Sequence, residues 1–140
     1  MRYLLDTNIV SDSRRGAEPV QRWLDRQRVA DLAISAMTIA ELEIGVRRKE
    51  RSDRAQGALL RRWLEDVVKP SFDGRVLAVD AAVAIGFARV QVPDPHPLTD
   101  SLIAATANVH GLTLVTRNTK DFERTGAGLL NPWLLEDEQH

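Results

Sequence analysis

The chain has 140 residues and a formal net charge of −1, with 44% hydrophobic and 28% charged residues. That is room for one domain able to bury its own core without disulfides or a structural metal. The absence of cysteine excludes disulfides, zinc ribbons and thiol chemistry, and three histidines leave oxygen as the expected donor for any metal.

A run of about 18 apolar residues, the least a membrane helix needs, occurs nowhere. The opening MRYLLDTNIV has neither the long apolar stretch nor the cleavage site of a secretory signal. A cytoplasmic protein without membrane association is expected.

Tyr3 to Leu5 reads as a short buried strand that stops at Asp6. Thr7 to Arg15 follows as a helix ended by Gly16, and Glu18 to Arg28 as a second helix with Val20, Trp23 and Leu24 on one face. Leu32 to Ser35 is a second strand. Ala36 to Lys49 is helical, with Ile39, Leu42 and Val46 inward. Ser52 to Val68 is a longer helix expected to end near Pro70. Val76 to Val79 is a third strand, and Asp80 opens the next helix. Three prolines between Val92 and Pro97 mark a loop. Leu98 to His110 is a helix closed by Gly111. Leu112 to Thr116 is a fourth strand, and Leu129-Leu130 a short fifth. Strands alternating with helices predict an α/β sandwich with a mainly parallel sheet, whose site lies at the carboxyl ends of its strands.

The acids fall where that rule directs attention. Asp6 ends the first strand. Glu41 sits among Met37, Ile44 and Gly45 on a helical projection, while Glu43 is expected to face solvent. Asp100 begins the apolar face of the Leu98–His110 helix, followed by Ile103, Ala104 and Ala107. Thr116, Asn118 and Asp121 follow the fourth strand. Taken singly, each acid has an ordinary reading: a helix cap for Asp6 or Asp121, a favourable N-terminal charge for Asp100, a side chain reaching water for Glu41. Taken together, carboxylates converging on one edge repel one another unless a cation offsets them. Oxygen donors favour Mg²⁺ or Mn²⁺, which suits hydrolysis of phosphodiesters.

Seven basic residues and two acids lie between Arg47 and Arg62, a local formal charge of about +5. Such a stretch is either a solvated helix face or a phosphate-contacting surface. His96 and His110 read as loop and helix-end residues, and nothing suggests the histidine pair of a metal-free ribonuclease.

The strings LLDTNIV, ISAMTIAELEIGV and PLTDSLIAATANVHGLTLVTRNTKDF, with NPW after them, resemble the PIN domain, and within it the VapC and FitB-like toxins of bacterial toxin–antitoxin pairs. The resemblance covers residues 3 to 133 and implies a PIN-like three-layer α/β/α fold. One domain over 1–135 and an acidic tail over 136–140 are expected. It also implies a ribonuclease dependent on Mg²⁺ or Mn²⁺ that leaves 5′-phosphate and 3′-hydroxyl ends. Asp6 and Asp100 match the family's metal ligands, and Glu41 matches the acid of its AEL motif. Asn118 stands where many PIN domains have an aspartate, so Asp121 becomes the candidate fourth acid. The missing charge implies one metal held tightly and a second only with RNA phosphate present. Thr7, Asn8 and Thr116 would orient Asp6, with Asn118 beside them.

The resemblance further implies a VapB-like antitoxin partner and a homodimer, with operator DNA bound through the antitoxin. Ile9, Trp23, Leu24, Ile39 and Leu42 are candidate walls of an antitoxin groove, though for most of them a core position is the better reading. A receiver domain would need paired acids after the first strand. A haloacid-dehalogenase-type phosphatase would need an acid where Asn8 stands. A regulatory or DNA-binding partner with weak or no catalysis is the alternative function.

Overall fold

In the computed structural model, residues 1–138 are described. Five short strands, β1 (Tyr3–Leu5), β2 (Leu32–Ser35), β3 (Val76–Leu77), β4 (Thr113–Val115) and β5 (Leu129–Leu130), form one sheet in the order β3-β2-β1-β4-β5. Every pairing is parallel, with Leu4 opposite both Ala33 and Leu114, and Leu5 opposite Val115. β1 is central. The chain builds the sheet outward on one side through β2 and β3, then returns to build the other side through β4 and β5. The ends of β1 and β4 therefore flank the point where strand order reverses, the crevice in which α/β sheets place their sites.

The side-chain period of two divides the core. Leu5, Leu32, Ile34 and Val115 face one layer, where they meet Ile9 and Val10 of α1 (Thr7–Arg14), Val20 and Trp23 of α2 (Glu18–Asp25), and Leu42 and Val46 of α3 (Ala36–Ser52). Leu4, Ala33 and Leu114 face the other, against Ile103, Ala104 and Ala107 of α7 (Leu98–His110). Alanines on α7 let it lie close to the sheet. Outside α7 packs α6 (Ala81–Gln91), where a Cβ at Gly86 would lie 3.4 Å from the Ala105 Cβ. The candidate groove residues are mostly core: Ile9 is fully buried, Trp23 and Leu42 nearly so, and Leu24 and Ile39 pack half-buried against them.

The observed elements depart from the expected ones at several ends. The second helix stops at Asp25, and Val29–Asp31 forms a 3₁₀ turn before β2. α3 runs three residues past Lys49, and Asp53 caps α4 (Arg54–Trp63) by accepting from the Gln56 N–H at 3.1 Å. Pro70 does not end the helix. A π turn over Leu64–Val68 leads into α5 (Lys69–Ser71), which contains the proline. A widened turn just before a proline relieves the clash of its ring with the carbonyl four residues back. β3 ends at Leu77, and β4 is shorter than expected by one residue at each end. The last element, α8 (Pro132–Glu138), continues helically across residue 135, where the acidic tail was expected to begin. Residues 139 and 140 of that tail lie outside the described residues. No helix among the described residues is long and apolar enough to cross a membrane.

Glu43 is another correction. It is half-buried, not turned to solvent. Its oxygens accept from both Arg61 Nη atoms at 2.9 and 2.7 Å and from Arg47 Nε at 3.1 Å. Arg61 also reaches Glu50 and Glu65, at 3.0 and 3.3 Å. This one guanidinium joins three acids on α3 and the α4–π segment and fixes the crossing of the two helices. The crossing is close because residue 57 has no side chain. A Cβ there would stand 2.5 Å from Glu50 Cα and 2.7 Å from Glu50 N, while a Cβ at Gly45 meets nothing within 4 Å.

Inside a helix, glycine to alanine ordinarily stabilises by roughly 0.5–1 kcal/mol. Gly45→Ala is expected to follow that rule. Gly57→Ala is expected to reverse it, with a loss of about 1–3 kcal/mol as backbone is pushed from backbone. Urea unfolding of the two variants measures both signs, and a stabilised Gly57→Ala would refute the close crossing.

Candidate active site

Asp6 is the N-cap of α1. Its Oδ1 accepts the Thr7 N–H at 2.8 Å, and its Oδ2 accepts the Thr116 hydroxyl at 2.8 Å. Thr116, fully buried at the end of β4, in turn accepts from Asn8 Nδ2 at 3.3 Å and from the Asn118 N–H at 3.0 Å. Asn8 Oδ1 accepts the Arg117 N–H at 3.3 Å. The ends of the two central strands are thus stitched together through the DTN and TRN segments, 110 residues apart in sequence.

The Thr7 hydroxyl lies 2.5 Å from Glu41 Oε1 and 3.0 Å from the hydroxyl of Thr38. Its single proton goes to the carboxylate, so the buried Thr38 donates to Thr7. Thr38 and Glu41 are one turn apart on α3. Thr7 consequently belongs to Glu41 as well as to Asp6, and Thr38 is a residue that sequence reasoning missed.

The four acids occupy one neighbourhood. Burial pushes the Asp6 carboxyl up to about 6. The Thr116 and Thr7 bonds pull the other way, and the charges of Asp100 and Glu41 add to the rise. Asp100, in the first turn of α7, is also raised, first by burial and then by the charges of Asp121 and Glu41. Asp121 sits on a 3₁₀ turn (Thr119–Phe122) and is exposed. Asn118 is exposed too, and its side chain makes no hydrogen bond among the described residues. Of the two candidates for a fourth position, Asp121 is the one whose charge reaches Asp100. Asp100 and Asp121 line an open cleft of about 410 Å³, with His96 and Lys120 at its walls.

Two braces hold this edge, and the sequence reading named neither. Asp12, only 3% exposed, accepts from Arg117 Nη1 at 3.2 Å and from Trp133 Nε1 at 3.4 Å. Asn131 Nδ2 donates to the Arg117 carbonyl at 3.2 Å. Together they tie the loop that carries Asn118 to α1 and α8. Asn8 and Asp12 lie four residues apart on one face of α1, and that polar pair was the available signal. On the other side, Gln91 donates to the buried Ser101 at 2.7 Å and accepts the His96 N–H at 2.9 Å, fixing the proline-rich loop before Asp100.

Asp6, Glu41, Asp100 and Asp121 have no ion-pair partner among the described residues. A buried carboxylate facing two others without a cation is costly, and a divalent ion relieves that cost. The donors are all hard oxygens, the chemistry Mg²⁺ and Mn²⁺ prefer. By that test the residues fit such an ion, although no three acidic side chains among the described residues stand close enough together to cage one as they are oriented here.

The PIN domain family matches residues 3–128, and the chain belongs to it. Toxin FitB of Neisseria gonorrhoeae is 36% identical over 137 residues, covering 93% of this chain and 97% of that protein. VapC ribonuclease Y4jK of Sinorhizobium fredii is 35% identical over 138 residues, covering 93% and 96%. A solved structure of FitAB bound to an IR36 DNA fragment superposes with a TM-score of 0.81 at 33% identity, over 94% of this chain and 95% of that one. The three-layer fold expected from the sequence is the observed one.

The raised Asp6 fixes a sign for stability. The folded state holds a proton on Asp6 between about pH 4 and pH 6, where the unfolded chain has released it. Its contribution is therefore complete below pH 4 and lost as pH rises through about 6, by up to about 3 kcal/mol. Urea unfolding in EDTA at a series of pH values should show wild type losing stability over that window relative to Asp6→Asn. Parallel curves for the two proteins would contradict the burial argument.

Proposed function

We propose that this chain is the toxin of a type II toxin–antitoxin pair, an endoribonuclease dependent on Mg²⁺ or Mn²⁺ and silenced by a VapB-like antitoxin. The observation that carries the reading is the buried Asp6 carboxylate, without a cation partner among the described residues and within electrostatic reach of Glu41 and Asp100, at the strand-order reversal of a PIN domain. The names of FitB and of the VapC ribonuclease Y4jK support it.

In this reading Asp6, Asp100 and Glu41 hold the metal, and Asp121 completes the site from the far side. A bound Mg²⁺ or Mn²⁺ would supply an activated water and offset charge on the phosphate. The chain's own part is to set the donors. Thr7 N–H and Thr116 fix both oxygens of Asp6, leaving the remaining lone pairs for a ligand. Thr7 directs one oxygen of Glu41, through a hydroxyl that is itself positioned by Thr38. The loop bound to Asp12 keeps Asp121 opposite Asp100. Asn118 supplies no charge, so this wall of the site is more weakly anionic than one with an aspartate there.

The DNA-bound FitAB structure favours a second output. In complex with its antitoxin, the chain would occupy operator DNA, with the antitoxin making the contact. That role needs no hydrolysis and is compatible with the first.

Cleavage of a total small-RNA pool by antitoxin-free protein tests the reading. Cuts are expected with Mg²⁺ or Mn²⁺ and none in EDTA. Asp100→Asn should reduce the rate by about 100-fold or more, the scale of the several kcal/mol a metal supplies at a phosphoryl oxygen. Thr7→Val, which frees Glu41, should cost roughly 10–100-fold. Equal cleavage by wild type and Asp100→Asn, or cleavage that survives EDTA, would overturn the proposal.

A further inference from the structure

The fold divides the basic stretch between Arg47 and Arg62. Arg47 and Arg61 are taken up by Glu43, and Arg61 also by Glu50 and Glu65. Lys49 has no acid partner among the described residues, and it lines a cleft of about 380 Å³ between α1, α3 and α4. Arg14 and Arg15, at the end of α1, form the facing wall. Arg14 stacks over the Trp63 ring at 5.7 Å, which places its guanidinium without neutralising it. Arg15 reaches Asp12 at 3.7 Å, its one acid partner among the described residues, and its side chain is 66% exposed.

The same cleft is lined by Thr7 and Glu41, the hydrogen-bonded pair that belongs to the acid cluster. Three cations therefore share one open cleft with Glu41, the member of the acid cluster that lines it. Between them Gly45 presents bare helix backbone, with nothing within 4 Å of where its Cβ would be. An acid cluster repels a polyanion, so a strand brought to it needs compensating contacts close by. Cations spaced along a groove that tracks away from the acids provide those contacts.

We propose that this cleft carries the RNA strand beside the phosphate to be cut, with Lys49, Arg14 and Arg15 on successive backbone phosphates and Gly45 leaving the floor open. The proposal rests on the ribonuclease reading for its substrate class. It favours RNA over an acidic protein segment because the cationic walls share the cleft with Glu41, one of the carboxylates that would act on the phosphate.

The test uses the Asp100→Asn protein in Mg²⁺ and a fluorescein-labelled single-stranded RNA of about 12 nucleotides and mixed sequence. Fluorescence anisotropy is followed across a salt series. Three single-strand phosphate contacts give a slope of log K against log salt near about −2. Arg14→Ala with Lys49→Ala should reduce it to about −0.7 and weaken binding about 25-fold at 0.1 M salt, by the same relation. Arg51→Ala with Arg54→Ala removes equal charge from the hairpin tip, outside the cleft, and should change affinity by less than about 3-fold. Gly45→Leu fills the floor with the charge intact and should also lose binding while unfolding at a temperature no lower than that of the wild type.

Equal losses from the two charge pairs would reduce the effect to a general field and overturn the proposal. So would unchanged affinity in Arg14→Ala/Lys49→Ala, or in a folded Gly45→Leu. Unchanged RNA binding with lost capture of the purified antitoxin would make the cleft a protein groove and also overturn it. RNA held through the cleft by a wild-type protein that never cleaves would uphold this proposal and sink the ribonuclease reading. Metal-dependent cleavage indifferent to the cleft variants would do the reverse.

Discussion

The burial of Asp6 is the constraint around which this edge of the molecule is arranged. A carboxylate at the end of a central strand loses water on nearly every side, and this one recovers only two hydrogen bonds, from Thr7 and Thr116. Two bonds do not offset the desolvation, which is why its protonation range climbs to about 6. A cation beside it would remove the penalty, yet no basic side chain among the described residues comes to it. The fold keeps the site anionic instead and surrounds it with neutral donors. A structural ion pair placed there would stabilise the chain and fill the position that the proposed metal would take.

The consequences spread outward through hydroxyls and amides. Thr116 can serve Asp6 because its own lone pairs are filled by Asn8 and the Asn118 N–H. Asn8 can serve Thr116 because α1 begins immediately after Asp6 and presents its first turn to the loop after β4. Thr7 donates its backbone N–H to Asp6 Oδ1 and its hydroxyl to Glu41 Oε1, so a single residue sets two acids on different elements. Parallel register makes this possible. Leu5 lies opposite Val115, so the residues that follow, Asp6 and Thr116, emerge side by side.

What the sequence revealed follows from the range of the interactions involved. The places of Asp6 and Asp100 in the fold and the sheet class were readable because each is local: an acid ending an apolar run, an acid opening a helix with alanines behind it, strands alternating with helices. Helix ends were less so. The π turn before Pro70 keeps the helix going where proline alone argues for a stop. Glu43 was misplaced because its partner, Arg61, is 18 residues away and becomes a neighbour only when α3 and α4 cross at Gly57. Asp12 escaped for the same reason, since Arg117 and Trp133 reach it across more than 100 residues. Thr38 was hidden in another way. On α3 it reads as an ordinary polar residue, and its role comes entirely from a hydroxyl on a different helix.

A net charge of −1 conceals the division of labour that the fold imposes on the charged residues. Acids that are structural are paired: Glu43, Glu50 and Glu65 with Arg61, and Asp12 with Arg117. Asp6, Glu41, Asp100 and Asp121, which have no ion-pair partner among the described residues, lie instead around the strand ends. The cations divide in the same way. Arg61 is consumed in fixing the α3–α4 crossing, while Lys49 and Arg14 line one cleft whose floor is open at Gly45. The interaction that holds the two helices together thus uses Arg61, while Lys49 and Arg14 have no acid partner among the described residues. Clustering of one sign at the strand ends and of the other along the adjoining cleft is thus a product of packing, set by which partners the helix crossing brings within reach.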